Sequence, residues 1–162
     1  MARKATKKMA QSEVQTASDQ TLRGFAGYNI KRAFNTVQTD VNVALARFDL
    51  RMLTFSALAV IVDNPGLRQS QLADSLSIER PNLVLVVDEL ERRALITRDP
   101  APTDRRAYAL KVTLAGRRLY EKALAAVQAH EARITKGLSD DERAALIRAL
   151  RLIETATQGA KT

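Results

Sequence analysis

The sequence contains no cysteine and only one histidine, His130, among its 162 residues. Without cysteine the chain can form no disulfide, cannot sense oxidants through a thiol and cannot bind zinc through thiolates. One histidine is also too few for a histidine-based metal centre and argues against a serine–histidine relay. Glycine-rich phosphate loops, nucleophile–base pairs and metal-ligand clusters are missing as well. We therefore expect no enzymatic activity, no catalytic residue, no cofactor and no bound metal.

Long apolar runs are missing too. No stretch approaches the roughly 20 apolar residues of a membrane span, and no signal-peptide core follows the basic start of the chain. The sequence therefore predicts a soluble, cytoplasmic protein with no membrane-embedded segment.

Positive charge, in contrast, is in excess. The chain has 26 Lys and Arg against 18 Asp and Glu, which gives a formal net charge of +8. A balance of this sign favours polyanionic partners, first nucleic acid and after it a membrane surface or an acidic protein. Basic proteins without such a partner exist, so the charge needs support from motifs.

The spacing of apolar residues predicts a mainly α protein with one small β-hairpin. Residues 1–20 are polar and basic, which is typical of a disordered arm, either a plain solvated terminus or a segment that touches DNA. Helical periodicity over 21–48 and 114–158 predicts long helices that flank a central lobe at 49–113. Asp49 is the predicted N-cap of the first helix of that lobe, which is apolar on nearly every side and therefore buried.

The central lobe contains two short helical segments, QSQLADSLSI and RPNLVLVVDELERRALI, with room between them only for a tight corner. Two short helices joined by such a corner form the outline of a helix-turn-helix. After them LITRD is predicted to be a strand, PAPTD a turn and RRAYALKVT the returning strand. A hairpin directly after a helix-turn-helix is a wing, which lies beside the recognition helix. Arginines at its tip can enter a narrow minor groove, and two prolines stiffen the loop.

The stretch from about Leu67 to Leu119 resembles the multiple-antibiotic-resistance regulator (MarR) family of bacterial winged-helix repressors. The matching pieces are QSQLADSL, ERPNLVLVVDELERRALI and DRRAYALKVTLAGRRL. The resemblance implies a winged helix-turn-helix protein that forms a homodimer through its flanking helices and binds a palindromic operator in double-stranded DNA. It also implies that a small ligand, bound between the dimerisation and DNA-binding lobes, relieves repression.

The resemblance assigns DNA contacts to the wing and to the first short helix. Arg105 and Arg106 would be the wing-tip residues, and Asp104 would orient one guanidinium through a charge-assisted bond. The alternative is a surface ion pair that touches nothing. Ser70 and Gln71 stand at the start of the first short helix, where backbone N–H groups and side chains can hold a phosphate.

The recognition helix carries the remaining predicted contacts. Arg80 and Asn82 lie in its first turn, where arginine reads guanine or phosphate and asparagine can pair with adenine. A simple capping role is the alternative for Asn82. Val84 and Leu85 depart from the family pattern, which usually has polar or basic residues there. They are predicted to point outward, toward thymine methyl groups or a long wing, and specificity then depends more on DNA shape. The predicted inward face is Leu83, Val86, Val87 and Leu90.

The segments GYNIKRA and NPGLRQSQLADSLSIERPNLV are similar to the branch of the family that senses aromatic acids or their coenzyme A thioesters. That similarity suggests a small organic effector, in line with the exclusion of thiol and zinc sensing. Five residues could supply an aromatic slot and a cationic anchor, although each could equally be ordinary core or surface: Tyr28, Lys31, Arg32, Phe34 and Phe55.

Two functions of different classes follow. The first is a sequence-specific transcriptional regulator, a homodimeric repressor released by a small organic effector such as an aryl-coenzyme A thioester. The alternative is a winged-helix module that docks a protein partner without specific DNA binding.

Overall fold

The computed structural model describes residues 17–101 and 104–158, so most of the predicted basic arm lies outside it. The elements in chain order are α1 Gln20–Arg23, α2 Ala26–Ala46, α3 Met52–Asp63, β1 Leu67–Arg68, α4 Gln69–Leu76, α5 Arg80–Arg92, β2 Ile96–Ala101, β3 Asp104–Val112, α6 Leu114–Ile134 and α7 Asp140–Gln158. The prediction of a mainly α protein with a small wing is confirmed. The described residues divide into two compact units, 17–34 and 35–158, with the boundary inside α2.

The first predicted helix is in fact two helices, α1 and α2. The break falls at Gly24 and Phe25, where the Phe25 N–H donates to the Leu22 carbonyl at 3.0 Å in a turn. Glycine is among the weakest helix formers, at about 1 kcal/mol worse than alanine, and favours such an interruption.

Helix α3 lies at the centre of the larger unit and is buried as expected, with Leu58 and Ile61 fully inaccessible. Its predicted N-cap, Asp49, is wrong. The helix begins after Arg51, whose N–H donates to the Thr54 hydroxyl at 2.9 Å, and Asn42 of α2 accepts the Met52 N–H at 2.7 Å. Because the cap comes partly from another helix, local sequence could not identify it.

The helix-turn-helix consists of α4 and α5. Ser77 at the corner has a positive φ of 51°, and the Ile78 N–H donates to the Ala73 carbonyl at 3.1 Å. Leu72 on α4 and Leu83 and Leu90 on α5 are buried in the common core. The tight corner predicted between the two segments is therefore confirmed.

The wing differs from the prediction in two ways. A third strand is present, because the two-residue β1 pairs antiparallel with β3 and gives the order β1-β3-β2. The hairpin is also longer than predicted, since β2 continues through Pro100 and β3 starts at Asp104, with an irregular register between Pro100 and Ala101. Pro100 has no N–H to give, and an edge strand such as β2 tolerates that loss.

The junction between the wing and α6 explains the motif TLAG. The Thr113 hydroxyl accepts the Gly116 N–H at 3.0 Å and donates to the Ala94 carbonyl at 2.8 Å, so one side chain caps α6 and ties it to the end of α5. A Cβ on Gly116 would lie 2.0 Å from the Leu95 carbonyl oxygen. Only glycine allows this close approach.

An ion cluster joins the second half of α2 to α6. The Asp40 carboxylate accepts hydrogen bonds from Arg133 at 2.7 and 3.2 Å and lies 3.0 Å from Nδ1 of the buried His130. The bonds from Arg133 hold the pKa of Asp40 below its usual value. The only histidine is thus a structural partner of Asp40.

Helix α7 begins with the predicted capping box. The Ser139 N–H donates to Glu142 Oε2 at 2.8 Å, and the Ser139 hydroxyl accepts the Glu142 N–H at 3.3 Å. The Ser139 N–H and the Ser139 hydroxyl, which also donates to Oε2 at 2.9 Å, lower the pKa of Glu142. Every described side chain of α7 is exposed, and a period of 3.6 residues places four of its apolar side chains in one stripe, Leu146, Ile147, Leu150 and Ile153.

Candidate nucleic-acid interface

The N-terminal end of α5 presents two polar side chains to solvent. Its N-cap, Glu79, has extended backbone and makes no side-chain cap bond, and Pro81 occupies the first turn, where its missing N–H costs little. Arg80 and Asn82 are both exposed. Within the described residues the Asn82 side chain forms no hydrogen bond, so nothing there supports the capping alternative. Both its amide oxygen and its amide nitrogen are open to solvent.

A small cleft lies between the start of α4 and the start of α5. It measures about 250 Å³ and is lined by Gln69, Ser70, Arg80, Leu83 and Val84. Three predicted contacts, Ser70, Arg80 and Val84, therefore meet in one place. The side-chain nitrogen of Gln69 is buried there without a hydrogen-bond partner among the described residues. Together with the guanidinium and the first N–H groups of α4, this set can hold an anion of phosphate size.

Gln71 stands in the first turn of α4 but does not line this cleft, so its phosphate contact stays a prediction. Its Oε1 accepts the Arg68 N–H at 2.8 Å, so part of its side chain caps α4. Gln69, which sequence reasoning missed, lines the cleft. The available sequence signal was its place at the start of the first helix of the helix-turn-helix.

The wing is tied to the recognition helix by an arginine that sequence reasoning missed. Arg98 of β2 hydrogen-bonds to Asp88, and its Nε lies 3.3 Å from the Glu91 carboxylate. Both acids belong to α5. The pairing places one positive charge against two carboxylates beside the exposed face of that helix and links β2 to α5.

We expect Arg98→Met to weaken DNA binding by about tenfold, or about 1.4 kcal/mol. The substitution leaves Asp88 and Glu91 uncompensated near the phosphates and frees the wing from α5. The free energy of unfolding should change by less than about 1 kcal/mol, because partly exposed ion pairs contribute little to stability. Fluorescence anisotropy with a labelled duplex, together with thermal melts, measures both quantities.

Lys111→Met is the matched control for this prediction. This substitution removes the same charge from the neighbouring strand of the wing, and among the described side chains Lys111 pairs with Asp99 alone, at 2.8 Å. An equal loss of affinity in the two variants would contradict a role for the Arg98 contacts with α5.

The wing-tip residues are placed by their backbone. Asp104, Arg105 and Arg106 are the first three residues of β3, and Asp104 pairs with Ala101 across the hairpin. Their side chains lie outside what the structure describes. The support role of Asp104 and the groove contacts of the two arginines therefore stay predictions.

Two of the effector candidates come together in the smaller unit. The Tyr28 hydroxyl donates to Asp19 Oδ2 at 2.7 Å, and the Arg32 guanidinium lies 3.5 Å from the same carboxylate and 5.8 Å from the Tyr28 ring centre. The hydrogen bond from Tyr28 lowers the pKa of Asp19. Sequence reasoning missed Asp19, whose i, i+4 spacing to Arg23 was the available signal.

The other three candidates differ from this pair. Lys31 and Phe34 are exposed. Phe55 belongs to the larger unit, where it packs on the hydrophobic core and stacks on Tyr120 with ring centres 5.9 Å apart. For Phe55 the core alternative is the better description.

Other kinds of site are not found in the part of the chain that the structure describes. No group of three or more His, Asp or Glu residues could hold a metal ion there. Of the described helices, none has the length and apolar character needed to cross a bilayer.

Comparison with known proteins gives a consistent result. Residues 50–108 match the model of the MarR family. Over 154 residues, 90% of this chain and 88% of the relative, the sequence is 33% identical to a protein of Thauera aromatica described as a transcriptional regulatory protein for the hcr operon.

Solved structures agree with the sequence matches. The repressor CouR bound to a 23-mer DNA duplex is 36% identical, with a TM-score of 0.81, covering 86% of this chain and 99% of that one. CouR from Rhodococcus jostii RHA1 bound to p-coumaroyl-CoA is 32% identical, with a TM-score of 0.76, covering 83% and 94%.

Proposed function

The chain belongs to the MarR family of transcriptional regulators, and on that premise we propose that it is a sequence-specific DNA-binding repressor. The observation that carries the proposal is the start of α5, where exposed Arg80 and Asn82 adjoin a cleft that also contains Ser70 and Gln69. Such a regulator acts on DNA in the cytoplasm and has no enzymatic activity.

The residues at this end of the molecule would make two kinds of DNA contact: contacts to phosphates, which position the protein, and contacts to bases, which read the sequence. The cleft offers amide donors at the start of α4 and the Arg80 guanidinium at the start of α5, which together suit a backbone phosphate and would fix the register of the protein on the duplex. Asn82 can donate to and accept from adenine in the major groove, whereas Arg80 suits guanine or a phosphate. The wing extends beside α5 and would place Arg105 and Arg106 in the adjacent minor groove.

A mobility-shift titration over a salt series tests the proposal. We expect the association constant to fall steeply as salt rises, because each neutralised phosphate releases counterions. Binding to one promoter fragment should survive excess competitor DNA at physiological salt. Weak binding that is independent of sequence would favour the protein-docking module instead.

We expect Asn82→Ala to relax base preference at one position in each half-site. A lost bidentate contact costs about 1–3 kcal/mol against the preferred base and little against the others. Affinities measured for the four base pairs at every operator position give the profile. A uniform loss over all sequences would instead make Asn82 a phosphate contact.

We further propose that the functional species is a homodimer. The apolar stripe of α7 is exposed within one chain, and burial against a second copy would remove it from water. The helices at 21–48 and 114–158 would form the dimerisation lobe, and 49–113 would form the DNA-binding lobe. Two recognition helices could then occupy successive major grooves of a palindrome.

We propose a small organic effector for release, an aryl-coenzyme A thioester in preference to the free acid. CouR has been solved with p-coumaroyl-CoA, and the family relationship makes this ligand class the first to test. Of the candidate residues, Tyr28 and Arg32 form a charged aromatic cluster with Asp19. An incoming anion would compete with the Asp19 carboxylate for these two side chains.

Titrating an operator complex with p-coumaroyl-CoA, p-coumarate and coenzyme A alone tests this. A ligand releases DNA only through a preference of several kcal/mol for the state that cannot bind. We expect the thioester to release the duplex and the free acid to do so poorly. Equal release by the acid, or none by either aryl compound, would contradict the ligand class and leave the repressor assignment intact.

A further inference from the structure

The face of α5 beyond its first turn is apolar and open to solvent. Leu85 is 69% exposed and Val84 44%, whereas Leu83, on the opposite side of the helix, is 2% exposed. Leu85 is among the most exposed large apolar side chains in the described part of the chain. A helix whose core-facing positions are already filled gains nothing in stability from these two side chains.

The surroundings of this patch indicate what covers it. Arg80 and Asn82 lie one turn before it on the same helix, and Val84 also borders the cleft that contains Ser70. One turn after it comes Asp88, which Arg98 of the wing neutralises. The uncharged aliphatic surface therefore lies between two side chains that could read DNA and an acid that is paired with Arg98. The protein as a whole carries a net charge of +8, which favours a polyanionic partner.

We propose that Val84 and Leu85 contact the C5-methyl groups of thymines in the major groove and select thymine at those positions. This inference rests on the proposed function. The methyl group is the one apolar feature that a base presents in the major groove. Guanine, adenine and cytosine present donors and acceptors there, which an aliphatic side chain would cover without satisfying. The same contact thus favours thymine and disfavours the alternatives.

Replacing single thymines by deoxyuridine tests the contact, because the two bases differ only in the methyl group. The probe is an operator duplex obtained by selecting bound sequences from a randomised pool. Removal of a contacted methyl should weaken binding about fourfold, the effect of one buried CH₂-sized group. Deoxyuridine at flanking thymines outside the footprint should have no effect.

Variants assign the contact to side chains. In Leu85→Ala and Val84→Ala the penalty for deoxyuridine should shrink toward onefold at the thymine that each residue contacts. Both residues are exposed, so the variants should fold as the wild type does. Leu114→Ala is the matched control, since Leu114 is 66% exposed at the start of α6 and should keep the full penalty.

Three results would overturn the inference. A wild-type protein that binds every deoxyuridine duplex as tightly as the thymine duplex makes no methyl contact, and the patch then serves the wing or a protein partner. A penalty that is undiminished in both variants places the contact elsewhere. Failure to select any operator would overturn the proposed function and this inference with it, whereas the first two results leave the function standing.

Discussion

Replacing Leu146 and Leu150 of α7 by aspartate is expected to abolish specific DNA binding while each chain stays folded. The two side chains are 48% and 39% exposed within one chain, so the substitutions remove little intrachain packing. Placed in a dimer interface they would bury two charges per chain, which costs several kcal/mol per unpaired ion. The variant should be a monomer.

A monomer carries a single recognition helix and loses the gain from simultaneous engagement of two half-sites. That gain is commonly on the order of 10²–10⁴, so operator affinity should fall at least about 100-fold. Sedimentation velocity gives the oligomeric state, circular dichroism the helix content, and anisotropy the affinity.

Ala144→Asp is the control for the dimer prediction. Ala144 is exposed on the same helix, on the side opposite the apolar stripe, and its replacement adds one of the two negative charges of the double variant. It should stay dimeric and bind DNA. A double aspartate variant that remains a dimer, or a wild-type monomer that binds the operator specifically, would contradict the assignment of α7 to the interface.

The second large effect concerns the wing. Arg105→Ala with Arg106→Ala should weaken operator binding by roughly 1–3 kcal/mol for each groove or phosphate contact that is lost. Both residues directly follow Asp104, the first residue of β3, so the backbone places them next to the turn of the hairpin. The narrow minor groove of A·T tracts concentrates negative potential, so the loss should be largest on operators with such a tract under the wing.

The matched control replaces Arg117 and Arg118 of α6 by alanine. These are also two adjacent arginines and both are exposed, so the net charge changes by the same amount. We expect a smaller loss that disappears as salt rises. If both double variants lose affinity equally at physiological salt, the wing acts only through net charge.

Local sequence determined much of this protein. The spacing of apolar residues on α5 separated buried Leu83 and Leu90 from exposed Val84 and Leu85, because a period of 3.6 residues fixes which side chains share a face. The capping box formed by Ser139 and Glu142 was likewise predictable from sequence, since both partners lie within one helical turn. The helix-turn-helix and the wing followed from such short-range patterns, whereas the DNA contacts proposed on α5 rest on the family resemblance.

Tertiary structure decided the features whose partners lie far apart in the chain. Asn42 of α2 helps to start α3 at Met52 and so displaced Asp49 as the cap. The strand β1 has only two residues, too few to show an alternation of apolar and polar side chains, so the sequence did not predict it. It forms because β3 offers a free edge. In the same way, the ties of Arg98 to α5 and of Tyr28 to Asp19 depend on which surfaces meet when the chain packs. Sequence spacing encodes contacts within a turn, whereas these contacts arise only once separate elements are brought together.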